Sequence, residues 1–261
     1  MRRTTKIWLI IAVSLVLVGC IVFGTVMSVI KWDFRKLSTV KYQTNFYEIT
    51  ENFNDISIKT DTADVIFAVS DDGKCKVECY EGEKEKHSVN VYENTLVINV
   101  VNEKSWYDYI GINIGTPKIT VYLPKTEYNS VVINLSTGDI SLENLSVGSL
   151  DLTVSTGDVD LKNIQCNSIL SSGSTGDITL KDVIAKEKFS IKRSTGDVKF
   201  YGCDAGEITV ETDTGDVSGS LLSEKVFVTK TSTGKISVPN TVTGGKCEIK
   251  TSTGDIKITC K

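Results

Sequence analysis

The chain has one histidine, two methionines and three prolines in 261 residues, and no Cys-x-x-Cys pair. A His-rich metal site is thereby excluded, and a Ser-His-Asp centre would depend on His87 alone. The formal charge of −4 comes without a clustered basic surface, so no nucleic-acid partner is expected. Hydrophobic residues make up 40% and charged residues 24%, which excludes disorder as a description of the whole. Helical periodicity is missing beyond residue 30, and the remainder reads as all-β.

What is present is unevenly distributed. Ile7 to Ile30 form 24 consecutive uncharged positions. As a helix at about 1.5 Å per residue they reach roughly 36 Å, enough to cross a hydrocarbon core of about 30 Å. Arg2, Arg3 and Lys6 precede the run, which puts residues 1–6 in the cytoplasm and everything after residue 30 outside the membrane. Lys31, Arg35 and Lys36 partly balance that bias, and Trp8 and Trp32 bracket the span. Leu17-Val18-Gly19-Cys20 resembles the lipobox of bacterial lipoproteins, with Cys20 as the residue that would carry lipid. The apolar run continues for ten residues past Cys20, which favours an uncleaved helix.

From residue 131 the tetrapeptide Ser-Thr-Gly-Asp recurs. Its core stands at Thr137-Gly138-Asp139, Thr156-Gly157-Asp158, Thr175-Gly176-Asp177, Thr195-Gly196-Asp197 and Thr214-Gly215-Asp216. Thr233-Gly234 is followed by Lys235, and Thr253-Gly254-Asp255 closes the series. The glycines are 19 or 20 residues apart, a period that denotes stacked supersecondary units. Two residues after each glycine stand Ile140, Val159, Ile178, Val198, Val217, Ile236 and Ile256. Apolar residues two apart on both sides of the corner give period-2 strands. The expected fold is all-β: a parallel β-helix-like β-solenoid of about seven rungs, roughly 34 Å long at about 4.8 Å per rung.

The glycine implies a backbone angle closed to other residues, and the Asp is read as accepting turn amides. Neighbouring carboxylates about 5 Å apart repel by about 0.8 kcal/mol in water. Lys235 is expected to interrupt the row between Asp216 and Asp255. A Ca²⁺-binding edge is the alternative reading of the row, but calcium wants six to eight oxygens and each rung offers one carboxylate and two hydroxyls. The main expectation is a structural corner with no cofactor and no metal.

Residues 31–51 read as a tether. Residues 52–130 read as a β-rich cap, opening on a degenerate rung with Thr62-Ala63-Asp64 at its corner. Alternating runs at Lys74–Tyr80, Val89–Tyr92, Leu96–Val101 and Lys118–Leu123 supply its strands. Trp106, Tyr107 and Tyr109 share one loop, either a hydrophobic plug over the first rung or a contact surface for glycan or protein. The end at Lys261 looks bare, with Lys246, Lys250, Lys257 and Lys261 guarding the last rung or docking a partner. Six of the seven cysteines lie outside the apolar run; Cys75, Cys79, Cys203 and Cys247 fall in apolar columns and read as free buried thiols. Cys203 and Cys260 are expected three rungs apart, too far to bond. His87 is read as standing alone in a charged loop. No outlying carboxylate pair breaks the repeat, so no catalytic residues are expected and the chain reads as a non-enzyme.

The Ser-Thr-Gly-Asp rungs, the opening Ile56-Ser57-Ile58-Lys59-Thr60 and the single N-terminal anchor resemble the bacterial putative-adhesin family of β-strand repeat domains, including LiaG-like envelope proteins. The resemblance spans about residues 45–261. It implies a single-pass bacterial membrane protein with an extracytoplasmic β-solenoid, and transfers no catalytic residues. The expected function is a non-enzymatic, adhesin-like module contacting cell-wall polymer or another envelope protein. The alternative is an accessory or sensor subunit of an envelope-stress response.

Overall fold

The computed structural model describes residues 3–111, 113–124 and 127–261, without the side chains of Arg35 and Tyr109. Arg2, part of the expected cytoplasmic end, lies outside the described residues. The chain forms two compact units. One comprises the residues up to Tyr42 with Lys104–Gly115, the other Gln43–Glu103 with Thr116–Lys261.

The first unit contains a single α-helix, α1 (Arg3–Val29), uncharged from Ile7 onward and long and apolar enough to cross a membrane. Lys31 and Trp32 both adopt left-handed backbone angles, with φ of 56° and 58°. That double kink ends the helix and folds Trp32 back against Phe23, edge-on, with 6.5 Å between ring centroids.

The second unit is all-β. Seven strands precede the repeats: β1 (Tyr42–Ile49), β2 (Asp55–Thr62), β3 (Asp64–Val69), β4 (Cys75–Gly82), β5 (Glu85–Tyr92), β6 (Thr95–Asn102) and β7 (Lys118–Leu123). The repeats form β8 (Glu127–Thr137), β9 (Ile140–Thr156), β10 (Val159–Thr175), β11 (Ile178–Thr195) and β12 (Val198–Thr214). They end with β13 (Val217–Leu221), β14 (Lys225–Thr233), β15 (Ile236–Ser237), β16 (Gly245–Thr253) and β17 (Ile256–Cys260).

Pairing between repeats is parallel and advances by one period. Ile140, Val159 and Ile178 lie side by side, as do Thr156 and Thr175. Equivalent apolar positions therefore stack: Ile140, Val159, Ile178, Val198, Val217 and Ile256 are all fully buried. Burying each such side chain contributes about 1.5–3 kcal/mol relative to exposure. A second bend, six residues after the corner glycine, is made by Asn144, Asn163, Asp182 and Gly202, all at φ of 50–63°. These are residue types that tolerate the left-handed region.

At one end β2 and β3 form a level whose Thr62 pairs with Thr137. Beyond it β6 and β7 continue the parallel stack. Antiparallel β5 and β4 then cover those two strands.

The other end overturns a sequence expectation. β16 pairs on one side with β12 and on the other with β14, and β17 lies between β13 and β15. Along the stack the corners run Gly196, Gly215, Gly254, Gly234, so the C-terminal repeat is intercalated one level in from the end. The bare outermost level is the penultimate repeat, and Lys261 does not mark it. There Ile236 is 46% exposed, whereas its equivalent Ile256 is fully buried. Intercalation also puts Cys203 and Cys260 two levels apart, through Leu221, instead of the expected three.

Candidate functional site

The corner is built by the glycine. Gly138, Gly157, Gly176, Gly196, Gly215, Gly254 and Gly234 have φ between 131° and 156°, angles L-residues rarely adopt. A Cβ on Gly157 would sit 2.0 Å from the Gly138 carbonyl oxygen, and the same clash recurs up the column. The glycine N–H donates forward, as from Gly138 to the Thr156 carbonyl at 3.0 Å. The flipped peptide then aims the following Asp N–H backward, where no main-chain acceptor waits. A carboxylate takes that place.

Oδ1 of Asp64 accepts from the Asp139 amide at 3.0 Å, and Asp139 accepts from Asp158 at 2.8 Å. The series continues Asp158 to Asp177, Asp177 to Asp197 and Asp197 to Asp216, at 2.8–2.9 Å. Asp216 then accepts from Asp255, and Asp255 from Lys235, both at 2.7 Å. Lys235 does not interrupt the row; it ends it. As the outermost corner it has no following amide to receive, so a carboxylate is not needed there.

Hydrogen bonding from the Asp197 amide, then Lys199, holds the Asp177 carboxyl below its ordinary pKa. Lys199 Nζ lies 3.1 Å from Asp177 and 3.3 Å from Asp197. Asp160, beside the row, is pushed up by burial and then by Asp158. With Oδ1 committed to an amide, each aspartate keeps Oδ2 for other contacts. Functional oxygens thus repeat along an edge and do not converge on a point.

Chemically richer groups meet at the covered end. His87 is not alone in a loop: it lies on β5 and is 4% exposed. Its Nδ1 is 2.7 Å from Glu81 Oε2, and its backbone N–H donates to the same oxygen at 2.6 Å. Asn45 Nδ2 donates to Glu81 Oε1 at 2.6 Å, and Thr60 Oγ1 is 2.9 Å from His87 Nε2. With the ring proton on Nδ1 toward Glu81, Nε2 accepts from the threonine, and these contacts are mutually consistent. The sequence of groups is hydroxyl, imidazole, carboxylate, as in a nucleophile relay. Thr60 and Glu81 are 2% and 0% exposed, however, so no described path leads a substrate to them. Cys79 joins this cluster, with ligand atoms of Cys79, Glu81 and His87 all within 4.8 Å of one another. Burial pushes the Cys79 thiol up to about 12, so it stays protonated at neutral pH. The sequence signal for this cluster was the alternation His87, Val89, Val91, which marks His87 as inward-facing.

Arg193 is the opposite case. It is buried, and its Nε and Nη1 lack hydrogen-bond partners. Gly173 makes room for it: a Cβ there would lie 1.9 Å from Nη1. The later repeats put Thr212, Thr251 and Thr231 in the Arg193 column. Their hydroxyls donate to the corner carbonyls of Gly196, Gly215 and Gly254.

The aromatic loop lies in the first unit, not in the stack. Trp106 is 77% exposed and Tyr107 is also exposed. The side chain of Tyr109 lies outside the described residues. All seven cysteines are free thiols; Cys20 is exposed on α1, and Cys75, Cys79, Cys166, Cys203 and Cys247 are buried.

Comparison with solved structures finds similar folds. A putative adhesin from Bacteroides fragilis aligns at 21% identity and a TM-score of 0.56, covering 85% of this chain and 99% of that one. A putative adhesin from Parabacteroides merdae aligns at 15% identity and a TM-score of 0.45, covering 85% and 98%. A putative lipid binding protein from Parabacteroides distasonis gives 17% identity and 0.47, with the same coverage. At these identities the Bacteroides fragilis likeness shows the fold alone. No curated protein matches. The family described as Toastrack DUF4097 matches residues 53–261, from just before the degenerate first repeat to the last residue, and the chain belongs to that family.

Proposed function

We propose that the protein is a membrane-anchored, extracytoplasmic β-solenoid acting as a non-enzymatic, adhesin-like interaction module of the bacterial cell envelope. One observation carries this reading: the exposed polar groups of the stack are dealt out one set per repeat along a corner. An enzyme needs unlike groups converging on one substrate, whereas a periodic edge suits a long, repetitive or extended partner. The buried Glu81–His87–Thr60 set satisfies itself and stabilises the covered end. The apolar α1 supports anchoring, with residues 1–6 cytoplasmic and the body outside. A Bacteroides fragilis structure described as a putative adhesin has a similar fold, which fits the reading. Cell-wall polymer and a second envelope protein are the two partners proposed.

The test uses the full chain in membranes. After crosslinking, retention on isolated cell wall that falls when Asp139, Asp158 and Asp177 are changed to Asn supports the module. Stoichiometric recovery with one membrane protein, and no cell-wall retention, would replace it with the accessory or sensor role.

A further inference from the structure

The aromatic loop and the end of α1 belong to the same unit, and hydrogen bonds tie them together. The Ile114 N–H donates to Ser38 Oγ at 3.4 Å. Tyr42 OH donates to Asn113 Oδ1 at 2.5 Å and lies 3.3 Å from the Gly115 carbonyl. Gly111 is packed so closely on Thr39 that a Cβ would stand 2.3 Å from Oγ1. Residues 38–42 in turn follow the helix, past Trp32, which folds back on Phe23 in its last turns. The loop is thereby tied to the segment that follows α1, within the same compact unit.

What the loop presents there is apolar and aromatic. Trp106 and Ile110 are 77% and 70% exposed, and Tyr107, Trp32 and Phe34 are exposed with them. Trp106 and Tyr107 are set edge-on, 5.9 Å between centroids. Lys31, Arg35, Lys36, Lys41 and Lys104 supply five basic residues in this unit beyond the helix, against the acids Asp33 and Asp108. Water is a poor neighbour for so much clustered aromatic surface. Rings with one apolar body and one polar edge, flanked by cations, suit the boundary between acyl chains and anionic headgroups.

We propose that the loop Trp106–Ile110 is a lipid-contacting element, seated in the headgroup layer of the membrane that α1 crosses, with Trp106, Tyr107 and Ile110 at the acyl boundary. This rests on the anchoring reading above. The occupant is the lipid surface because the loop belongs to the same compact unit as the helix that enters it, and that unit carries the complementary charge.

The test reconstitutes the full chain in phosphatidylcholine–phosphatidylglycerol vesicles, with and without brominated acyl chains. Two single-tryptophan forms are compared: W32F/W106F, which keeps Trp8 within α1, and W8F/W32F, which keeps Trp106. Brominated lipid is expected to remove about half or more of the Trp106 emission, as it does for an interfacial ring, and to quench Trp8 as well. Quenching of Trp8 with none of Trp106 overturns the proposal and leaves the anchor standing. No quenching of either overturns both. Trp106 shielded from bromine and from aqueous iodide alike would mean a protein contact, and the lipid assignment would be wrong.

Discussion

The two ends of the stack are finished by different means. At the covered end, antiparallel β4 and β5 lie against β7 and β6, and a fully bonded Glu81–His87–Thr60 set is sealed inside. At the far end no such strands are added among the described residues: β14 and β15 form the outermost level, and Ile236 remains half exposed. Stability at the first end comes from extra structure, and at the second from reordering. The repeat of β16 and β17 slips inward, so β17 is held between β13 and β15 and the exposed edge belongs to the repeat that precedes it in sequence. Lys225 fastens that arrangement; its Nζ reaches Asp204 Oδ1 at 2.6 Å and donates to Ser223 Oγ at 2.7 Å.

The largest test of this contrast is at the corners. Gly157→Val, with levels on both sides and a carbonyl 2.0 Å from the new Cβ, is expected to cost more than about 4 kcal/mol and abolish folding. Gly234→Val makes the same local clash but has no level beyond it. It is expected to cost about 1–2 kcal/mol, read as a shifted urea midpoint, because the outer level can move away. Equal losses would mean that the outer level is as rigid as the middle.

Next come the fastenings of the two ends. Glu81→Leu leaves two His87 N–H donors unanswered in a sealed interior, and Asn45 at its edge, and is expected to cost about 3–5 kcal/mol. Lys225→Met leaves Asp204 with access to water, for a loss of about 1–3 kcal/mol. A reversed order in chemical denaturation would show that reordering, not covering, is the stronger device.

The smallest effect concerns acid. The folded Asp177 pKa lies below its ordinary value, so its contribution to stability is present above the unfolded pKa and is lost as pH falls through the folded one, below about pH 4. Asn at 177 keeps an oxygen for the Asp197 amide. Asp177→Asn is therefore expected to lower neutral-pH melting slightly and to flatten the acid limb by the same amount.

Much of this fold was legible because a period of 19–20 residues is a long-range signal written locally. Ile140, Val159 and Ile178 announce their own register. The order of the last two levels was not, since Thr233-Gly234 and Thr253-Gly254 look alike and nothing adjacent to either says which lies outside. One clue was there, in the corner without a carboxylate at Lys235. It became readable only when the direction of the amide bonds was known. The bend at Asn144, Asn163, Asp182 and Gly202 was likewise spelled out in left-handed residue types, but was hidden among polar connectors. The Glu81–His87 contact spans only the β4–β5 hairpin, but Thr60 and Asn45 reach it from β2 and β1, which no spacing in the chain conveys.

The row of aspartates also has a direction, and that makes it a rule about length. Each carboxylate serves the level after it, so a duplicated repeat bearing Asp can be spliced into the middle and will find both a giver and a receiver. A repeat bearing lysine can only come last. Duplication of an Asp-bearing repeat thus keeps every corner amide bonded within the column, whereas a level added beyond Lys235 would have to take its amide's acceptor from water.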